Sequence, residues 1–293
     1  MPELPEVETV RRGLEPAMVG ARFRAVEQRR ADLRFPLPEN FAERLTGERV
    51  ERLERRAKYL MAWLDGDTVL AMHLGMSGRF TVVHSGAPDR PGAIANVPTG
   101  DAAHDHIVFH MSNGATVLYN DVRRFGYMDL IESAQLPDHK LFRDLGVEPL
   151  GDELSPEFLA HACRAKQTSL KAALLDQRLI AGLGNIYVCE ALYRAKLSPR
   201  RGADSLATKA GAPTARTQRL VAAVKDVLDD AIEAGGSSLR DYQQADGSLG
   251  YFQHSFAVYG RAGLSCARKS CRGRVQRIVQ NGRSTFFCAS CQR

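Results

Sequence analysis

The feature that most constrains the fold is a set of four cysteines near the end of the chain. They form two close pairs, Cys266-x4-Cys271 and Cys288-x2-Cys291. Two close pairs joined by a loop are typical of a tetrahedral zinc site with four thiolate ligands, which leaves no open position for catalysis. Disulfides are the alternative, but they need an oxidising compartment, and the acidic N-terminus does not resemble a signal peptide. We expect one structural Zn²⁺ per chain.

The segment between the two cysteine pairs predicts a β-hairpin. Two β-prone runs, 274–279 and 284–287, lie on either side of Asn281-Gly282. Asn-Gly favours a two-residue turn because both of its residues must adopt positive φ. The expected structure is therefore a zinc-bound hairpin with outward arginines. The other two cysteines, Cys163 and Cys189, lie in apolar helical stretches, and we expect them to be buried.

Positive charge is concentrated in the same region. The formal net charge is +6, yet no acidic residue follows Asp246, whereas eight cations do: Arg261, Arg268, Lys269, Arg272, Arg274, Arg277, Arg283 and Arg293. A basic module on a nearly neutral body favours a polyanionic partner such as nucleic acid, although a merely solvated tail has the same composition. No apolar run approaches the roughly 20 residues of a membrane span, so we expect no membrane partner and a cytoplasmic location.

Along the rest of the chain the residue pattern changes once, from β-rich runs to helical patterns. A helix is predicted over 5–19, followed by short β-rich runs to residue 131 that indicate a β-sandwich or barrel, with a surface loop over 85–103. Helical patterns follow near 156–164, 169–176, 186–195, 215–234 and 237–243. We therefore expect a catalytic β domain over 1–131, a linker over 132–150, a helical domain over 151–245 and a zinc finger over 257–293.

Pro2 and Glu3 are candidates for chemistry. If Met1 is removed, Pro2 carries a secondary amine that can attack a sugar carbon, and an α-amine is far less basic than a lysine. A helix N-terminus nearby disfavours the charged form further. Glu3 could then serve as a general acid or base. The alternative, on these residues alone, is a disordered terminus without function.

Three other segments carry weaker signals. The Gly182-Leu183-Gly184-Asn185 turn between helices could hold a phosphate, although such turns are usually only turns. Met76, Arg123 and Phe125 sit in Gly-flanked turns and are side chains of the type that fill the space left by a base leaving the stack. A packed Met, a core Phe and a solvated Arg are the ordinary alternatives.

Taken together, these segments closely resemble the formamidopyrimidine-DNA glycosylase family along the whole chain. The resemblance is carried by MPELPEVET at the start, RRAKYL (55–60), HLGMSG (73–78), RRFG (123–126), GLGNIY (182–187), DGSLGYF (246–252), YGR (259–261) and the four cysteines. Two departures are the four-residue spacing of the first cysteine pair and the long 85–103 loop.

The resemblance implies an α+β fold. Its parts are an N-terminal antiparallel β-sandwich with flanking helices, a helix–two-turn–helix lobe with a lesion-capping loop over 237–252, and a C-terminal zinc-finger β-hairpin. It implies a bifunctional DNA glycosylase and abasic-site lyase of base excision repair, which excises oxidised purines such as 8-oxo-guanine and formamidopyrimidines. Double-stranded damaged DNA would be the partner of a bacterial, nucleoid-associated monomer.

The resemblance also implies residue roles. Pro2 would be the nucleophile that forms a Schiff base, Glu3 the proton donor, Lys58 a cation at the reacting nucleotide, and Arg261 a participant in δ-elimination. Further DNA contacts are implied for His104, Arg123, Lys166, Asn185, Met76, Phe125 and Lys171. Cys266, Cys271, Cys288 and Cys291 would hold the zinc.

Two other functions fit parts of the pattern. An endonuclease VIII-like glycosylase for oxidised pyrimidines shares the amine chemistry, although the ELPE start and the RRFG turn favour the purine enzyme. A non-catalytic zinc-ribbon DNA-binding protein explains the cysteines and the charge, but not Pro2, Glu3 and Lys58.

Overall fold

The computed structural model describes residues 2–84, 102–237 and 250–293. Most of the predicted 85–103 loop, the helix over 237–243 and the capping loop over 237–252 therefore lie outside the described residues. The chain forms two compact units, one of Met1–Arg143 with Ala234–Tyr251 and the other of Asp144–Glu233 with Phe252–Arg293. No helix within the described ranges is long and apolar enough to cross a membrane.

Within the described residues, the first unit contains two α-helices and eight strands. In chain order they are α1 (Leu4–Met18), β1 (Phe23–Gln28), α2 (Phe41–Leu45), β2 (Val50–Arg56), β3 (Tyr59–Leu64), β4 (Thr68–His73), β5 (Arg79–His84), β6 (Asp105–Met111), β7 (Ala115–Asn120) and β8 (Tyr127–Glu132). The first helix, predicted over 5–19, is confirmed within one residue at each end, and the strands occupy the region in which short β-rich runs were predicted. Helix α2, which begins after a left-handed Asn40, was not predicted.

These strands form two antiparallel four-stranded sheets, in the orders β1-β6-β7-β5 and β2-β3-β4-β8. Alternating apolar residues of both sheets share one core with helix α1, for example Leu14, Phe23, Leu60, Met72 and Phe109. Helix α1 presents its apolar face because Val7, Val10 and Leu14 recur at helical spacing. The predicted two-sheet arrangement is confirmed.

The second unit is helical and ends in a hairpin. It contains α3 (Pro156–Cys163), α4 (Leu170–Leu175), α5 (Asn185–Arg194), α6 (Ala215–Glu233), β9 (Val275–Gln280) and β10 (Arg283–Cys288). Ser155 and Ser169 cap α3 and α4 by accepting hydrogen bonds from backbone N–H groups. Asn281 and Gly282 have φ of 49° and 71°, so the predicted two-residue turn is confirmed.

Candidate functional site

Pro2 and Glu3 lie where helix α1 begins. Both residues are buried, with Glu3 only 4% exposed. The backbone N–H of Glu3 donates to Oε2 of Glu6 at 2.8 Å, and the Glu3 side chain accepts in turn from the backbone N–H of Glu6. This reciprocal cap holds both residues at the positive end of the helix dipole, which disfavours a further positive charge there.

Glu6 supports this site and is not among the residues predicted from the sequence. It is 2% exposed, and its second oxygen, Oε1, accepts from the backbone N–H and the hydroxyl of Ser237, both at 2.8 Å. One buried carboxylate therefore joins the Glu3 backbone to a residue far along the chain. The Glu3-x-x-Glu6 spacing was the available signal, since it is the spacing of a capping box.

Lys58 lies in the tight turn between β2 and β3, after a left-handed Ala57 whose carbonyl accepts from Nη1 of Arg55. Lys58 is 8% exposed. Strand β2 is fastened to helix α1, since Arg11 donates to the Leu53 carbonyl at 3.1 Å. The helix that begins at Glu3 and the strand that ends beside Lys58 are therefore fixed in one body.

The charge of Lys58 affects the neighbouring His73. Burial, together with the positive charges of Lys58 and Arg34, lowers the pKa of His73 to about 4. Its Nδ1 accepts from the backbone N–H of Gly75 at 3.0 Å, as a neutral ring requires. His73 is therefore neutral at physiological pH, and the local positive charge belongs to Lys58 and Arg34.

Met76, Arg123 and Phe125 occupy two exposed turns of the first unit. Met76 is 38% exposed and Phe125 40% exposed, and the Arg123 guanidinium lies 4.8 Å from the centroid of the Phe125 ring. The two turns touch through their backbones, since a Cβ on Gly75 would overlap the Phe125 carbonyl group. The structure thus brings the turn of Met76 against the turn of Arg123 and Phe125, which lies about fifty positions further along the chain. The half-buried His104 lies close to the start of the Arg123–Phe125 turn, since its carbonyl accepts from the backbone N–H of Asp121.

Asn185 begins helix α5 after the Gly-rich turn. Gly182 has φ of 84°, and Gln177 holds the turn by accepting from Gly182 N–H and donating to the Leu183 carbonyl. The Asn185 amide donates to the Ser284 carbonyl at 3.0 Å, whereas its Oδ1 is buried and makes no hydrogen bond within the described residues. A helix N-terminus favours an anion such as phosphate, because its backbone N–H groups carry partial positive charge.

Arg261 lies in the turn that leads into the zinc hairpin, and its Nε is likewise buried without a hydrogen bond in the described part of the chain. The preceding turn is held by Glu190 of helix α5, another residue that was missed. Glu190 is 2% exposed and accepts from three successive backbone N–H groups, those of Ala257, Val258 and Tyr259, at 2.8–3.0 Å. Asn185 and Arg261 are thus both positioned from helix α5.

The two remaining cations differ in exposure. Lys166 is half-buried just beyond α3. Lys171 is 1% exposed, and its Nζ donates to the Ser284 carbonyl at 3.1 Å and to the Thr285 hydroxyl at 2.6 Å. Lys171 therefore joins helix α4 to the hairpin, and its amine lies in the interior of the second unit.

The four terminal cysteines converge as predicted. Their Sγ atoms all lie within 4.8 Å of one another, with Cys266–Cys291 at 3.8 Å and Cys271–Cys288 at 3.7 Å. A tetrahedron of thiolates at the usual Zn–S distance of about 2.3 Å places its sulfurs about 3.8 Å apart. The donor set thus fits one structural zinc. Cys163 and Cys189 are buried, as expected, and burial raises the pKa of Cys163 to about 11.

Helix α5 also supports this metal site. The Tyr193 hydroxyl lies 3.4 Å from Cys266 Sγ, and Arg268 donates to Cys291 Sγ at 3.4 Å while its second nitrogen donates to the Tyr193 carbonyl. Such outer contacts orient thiolate ligands. Two antiparallel sheets, a Gly-rich turn that begins a helix and a four-thiolate hairpin together define a zinc-containing, nucleic-acid-binding protein.

Comparisons with known proteins identify the family. The formamidopyrimidine-DNA glycosylase N-terminal domain matches residues 1–128, the H2TH domain of the same enzymes matches 145–243, and the zinc finger found in FPG and IleRS matches 263–293. Formamidopyrimidine-DNA glycosylases of Beijerinckia indica and Rhodopseudomonas palustris are 63% and 60% identical over the full length of both chains. The chain belongs to the formamidopyrimidine-DNA glycosylase family.

Solved structures agree with this assignment. The Lactococcus lactis Fpg in complex with DNA containing an abasic site is 34% identical, covers both chains fully and gives a TM-score of 0.82. A MutM structure in complex with DNA containing carbocyclic 8-oxo-G is 35% identical over both full chains, with a TM-score of 0.81. The expected α+β architecture, with its helical H2TH region and zinc hairpin, is confirmed.

Proposed function

We propose that this chain is a bifunctional DNA glycosylase and abasic-site lyase that removes oxidised purines from double-stranded DNA. We base this proposal on the buried Pro2–Glu3 pair, which Glu6 holds at the start of α1. Family membership supports the reaction class, and relatives in complex with 8-oxo-G, Fapy-dG and abasic-site DNA support the substrate class.

The reaction begins once Met1 has been removed. The neutral amine of Pro2 attacks C1′ of the damaged nucleotide, the N-glycosidic bond breaks, and the base leaves with its bonding electron pair and takes up a proton. Glu3 supplies a proton to the sugar oxygen as the ring opens, which leaves an iminium between Pro2 and C1′. Loss of the 3′ phosphate and then of the 5′ phosphate by β- and δ-elimination cuts the strand on both sides.

The other site residues act on the DNA. Lys58 supplies positive charge at the reacting nucleotide, while Asn185 and Arg261 hold phosphates by donating side-chain N–H groups. One of these donors is the buried Nε of Arg261, which makes no hydrogen bond within the described residues. Met76, Arg123 and Phe125 fill the space left by the extruded nucleotide, with Arg123 facing the unpaired base. His104 and Lys166 contact the backbone. The protein acts as a monomer in the bacterial cytoplasm, associated with the nucleoid through DNA.

Substrate preference distinguishes this proposal from the endonuclease VIII-like alternative. Single-turnover excision should be measured on matched duplexes with 8-oxo-guanine opposite cytosine or thymine glycol opposite adenine, because a Lactococcus lactis relative was crystallised with DNA containing an oxidised pyrimidine. Faster excision of 8-oxo-guanine is expected, and a clear preference for thymine glycol would reverse the assignment. Binding without cleavage of either duplex would favour a non-catalytic DNA-binding protein.

The phosphate contacts have their own test. Arg261→Ala should weaken binding to any duplex sequence and reduce the slope of log affinity against log salt by about one phosphate contact. A loss of affinity confined to particular sequences would contradict this role. Lys269→Ala, which removes an exposed charge of the same module, is the control.

A further inference from the structure

The two turns that carry Met76, Arg123 and Phe125 meet at a buried carboxylate, that of Asp121. This residue follows β7 and is 0% exposed. Its Oδ1 accepts from the Ser77 hydroxyl at 2.5 Å, and its Oδ2 accepts from the backbone N–H of Gly126 at 2.8 Å and from the Tyr119 hydroxyl at 3.3 Å. Ser77 belongs to one exposed turn and Gly126 to the other, so a single carboxylate bonds both.

Ser77 adds a second link between the turns. Its Oγ accepts from the backbone N–H of Arg123 at 3.1 Å while its hydroxyl hydrogen points to Asp121. Hydrogen bonds therefore fix the chain beside each exposed residue. Ser77, next to Met76, and Gly126, next to Phe125, both bond to Asp121, and the Arg123 backbone bonds to Ser77. The Arg123 guanidinium packs on the Phe125 ring, but the position of each turn relative to the other depends on this hydrogen-bond network.

The surroundings of Asp121 leave little freedom for adjustment. A Cβ on Gly78 or Gly126 would overlap the Tyr119 hydroxyl. Burial and the Asp121 carboxylate raise the pKa of Tyr119, so its hydroxyl stays protonated and can donate. The backbone of Asp121 is fixed as well, since its N–H donates to the His104 carbonyl and its carbonyl accepts from Nε2 of His106 at 2.9 Å.

We propose that Asp121 is a positioning residue that sets the register of the Met76 turn against the Arg123–Phe125 turn, and so determines selectivity for the base opposite the lesion. The proposal rests on the void-filling role given to these three side chains under Proposed function. Arg123 can test the opposite base only if its turn is held against the Met76 turn. A carboxylate that accepts from both turns at once meets that need, because a neutral amide has only one accepting end.

The test uses Asp121→Asn and Ser77→Ala in the full-length protein. Three single-turnover rates are compared: excision of 8-oxo-guanine opposite cytosine, the same excision opposite adenine, and cleavage at a preformed abasic site. An abasic site has no base to remove from the stack, so its cleavage should depend less on the void-filling residues. Asp105→Asn, which alters a buried aspartate bonded to Asn120 rather than to either turn, is the matched control.

Loss of one buried, charge-assisted hydrogen bond should slow excision opposite cytosine by about tenfold and change abasic-site cleavage by less than about threefold. The preference for cytosine over adenine should narrow in both test variants and be retained in Asp105→Asn. An equal fall in all three rates, or an unchanged preference in both variants, would overturn the proposal. Ser77→Ala keeps the Asp121–Gly126 bond and supplies the test if Asp121→Asn does not fold.

Met76→Ala and Phe125→Ala separate this proposal from the function on which it rests. If neither of them alters excision or the preference, the void-filling role itself is wrong. If they do alter the preference while Asp121→Asn and Ser77→Ala do not, only the positioning role of Asp121 is refuted.

Discussion

Glu190→Gln gives the sharpest test of how the second unit is held together. The carboxylate is 2% exposed and accepts from three backbone N–H groups, two at Oε1 and one at Oε2. A glutamine can place its oxygen where Oε1 lies, but its amide nitrogen then faces the N–H of Ala257. One charge-assisted bond is lost, and two donors are left facing each other in the interior.

The expected cost follows from that arrangement. Hydrogen bonds to charged groups contribute about 1.5–3 kcal/mol, and an unsatisfied buried donor adds a penalty, so we expect Glu190→Gln to lower the free energy of unfolding of the second unit by about 2–3 kcal/mol. Since the lost bond fixes the turn before Arg261, affinity for abasic-site DNA should fall as well. Glu157→Gln on α3 is the exposed control.

Two measurements check this prediction. Urea unfolding followed by circular dichroism gives the free-energy change, and hydrogen exchange of the amides of residues 257–259 locates it. Protection of these amides should fall in Glu190→Gln while amides of the first unit keep theirs. A change in unfolding free energy below about 0.5 kcal/mol, which is the effect of an ordinary surface substitution, would show that these three bonds do not stabilise the second unit.

Three further predictions concern other parts of the molecule. Removal of zinc by a chelator should abolish binding to a lesion-free duplex and raise the hydrogen-exchange rate of the β9 and β10 amides to that of unprotected amides, because metal binding and local folding are one equilibrium. Full affinity for the duplex without zinc would contradict this prediction. Gly75→Ala should destabilise the protein more than Gly20→Ala, since both glycines have positive φ but only Gly75 would place its Cβ against another turn, and equal thermal shifts would remove that argument. The lowered pKa of His73 means that stability from its neutral ring is complete above the unfolded value of 6.5 and is lost as pH falls towards about 4; ring titration by NMR near 6.5 would show the opposite.

Local features of the chain were predictable because their causes are local. The Asn281-Gly282 turn needs positive φ at two adjacent residues, and Ser155 caps a helix whose first residue is Pro156. The zinc ligands were equally predictable, because a four-thiolate site requires cysteines in closely spaced pairs. Helix α2 was missed because it is only five residues long and starts from a left-handed Asn40.

The long-range partners of the buried carboxylates could not be predicted from the sequence. Glu6 bonds Ser237 across 231 positions, Glu190 bonds Ala257 across 67, and Asp121 bonds Ser77 across 44. Apart from the capping-box spacing of Glu3 and Glu6, no local pattern indicates these bonds, because the partners come together only in the tertiary fold. For the same reason the sequence did not show that Lys171 is enclosed by the hairpin rather than exposed.

Borohydride trapping shows whether the amine of Pro2 is the nucleophile. The processed protein is mixed with a duplex containing 8-oxo-guanine, the iminium is reduced, and the adduct is digested and located by mass spectrometry. The predicted result is a single adduct on residue 2 that disappears when one extra residue precedes Pro2. An adduct on Lys58, or one that persists after the N-terminus is extended, would show that Pro2 is not the nucleophile.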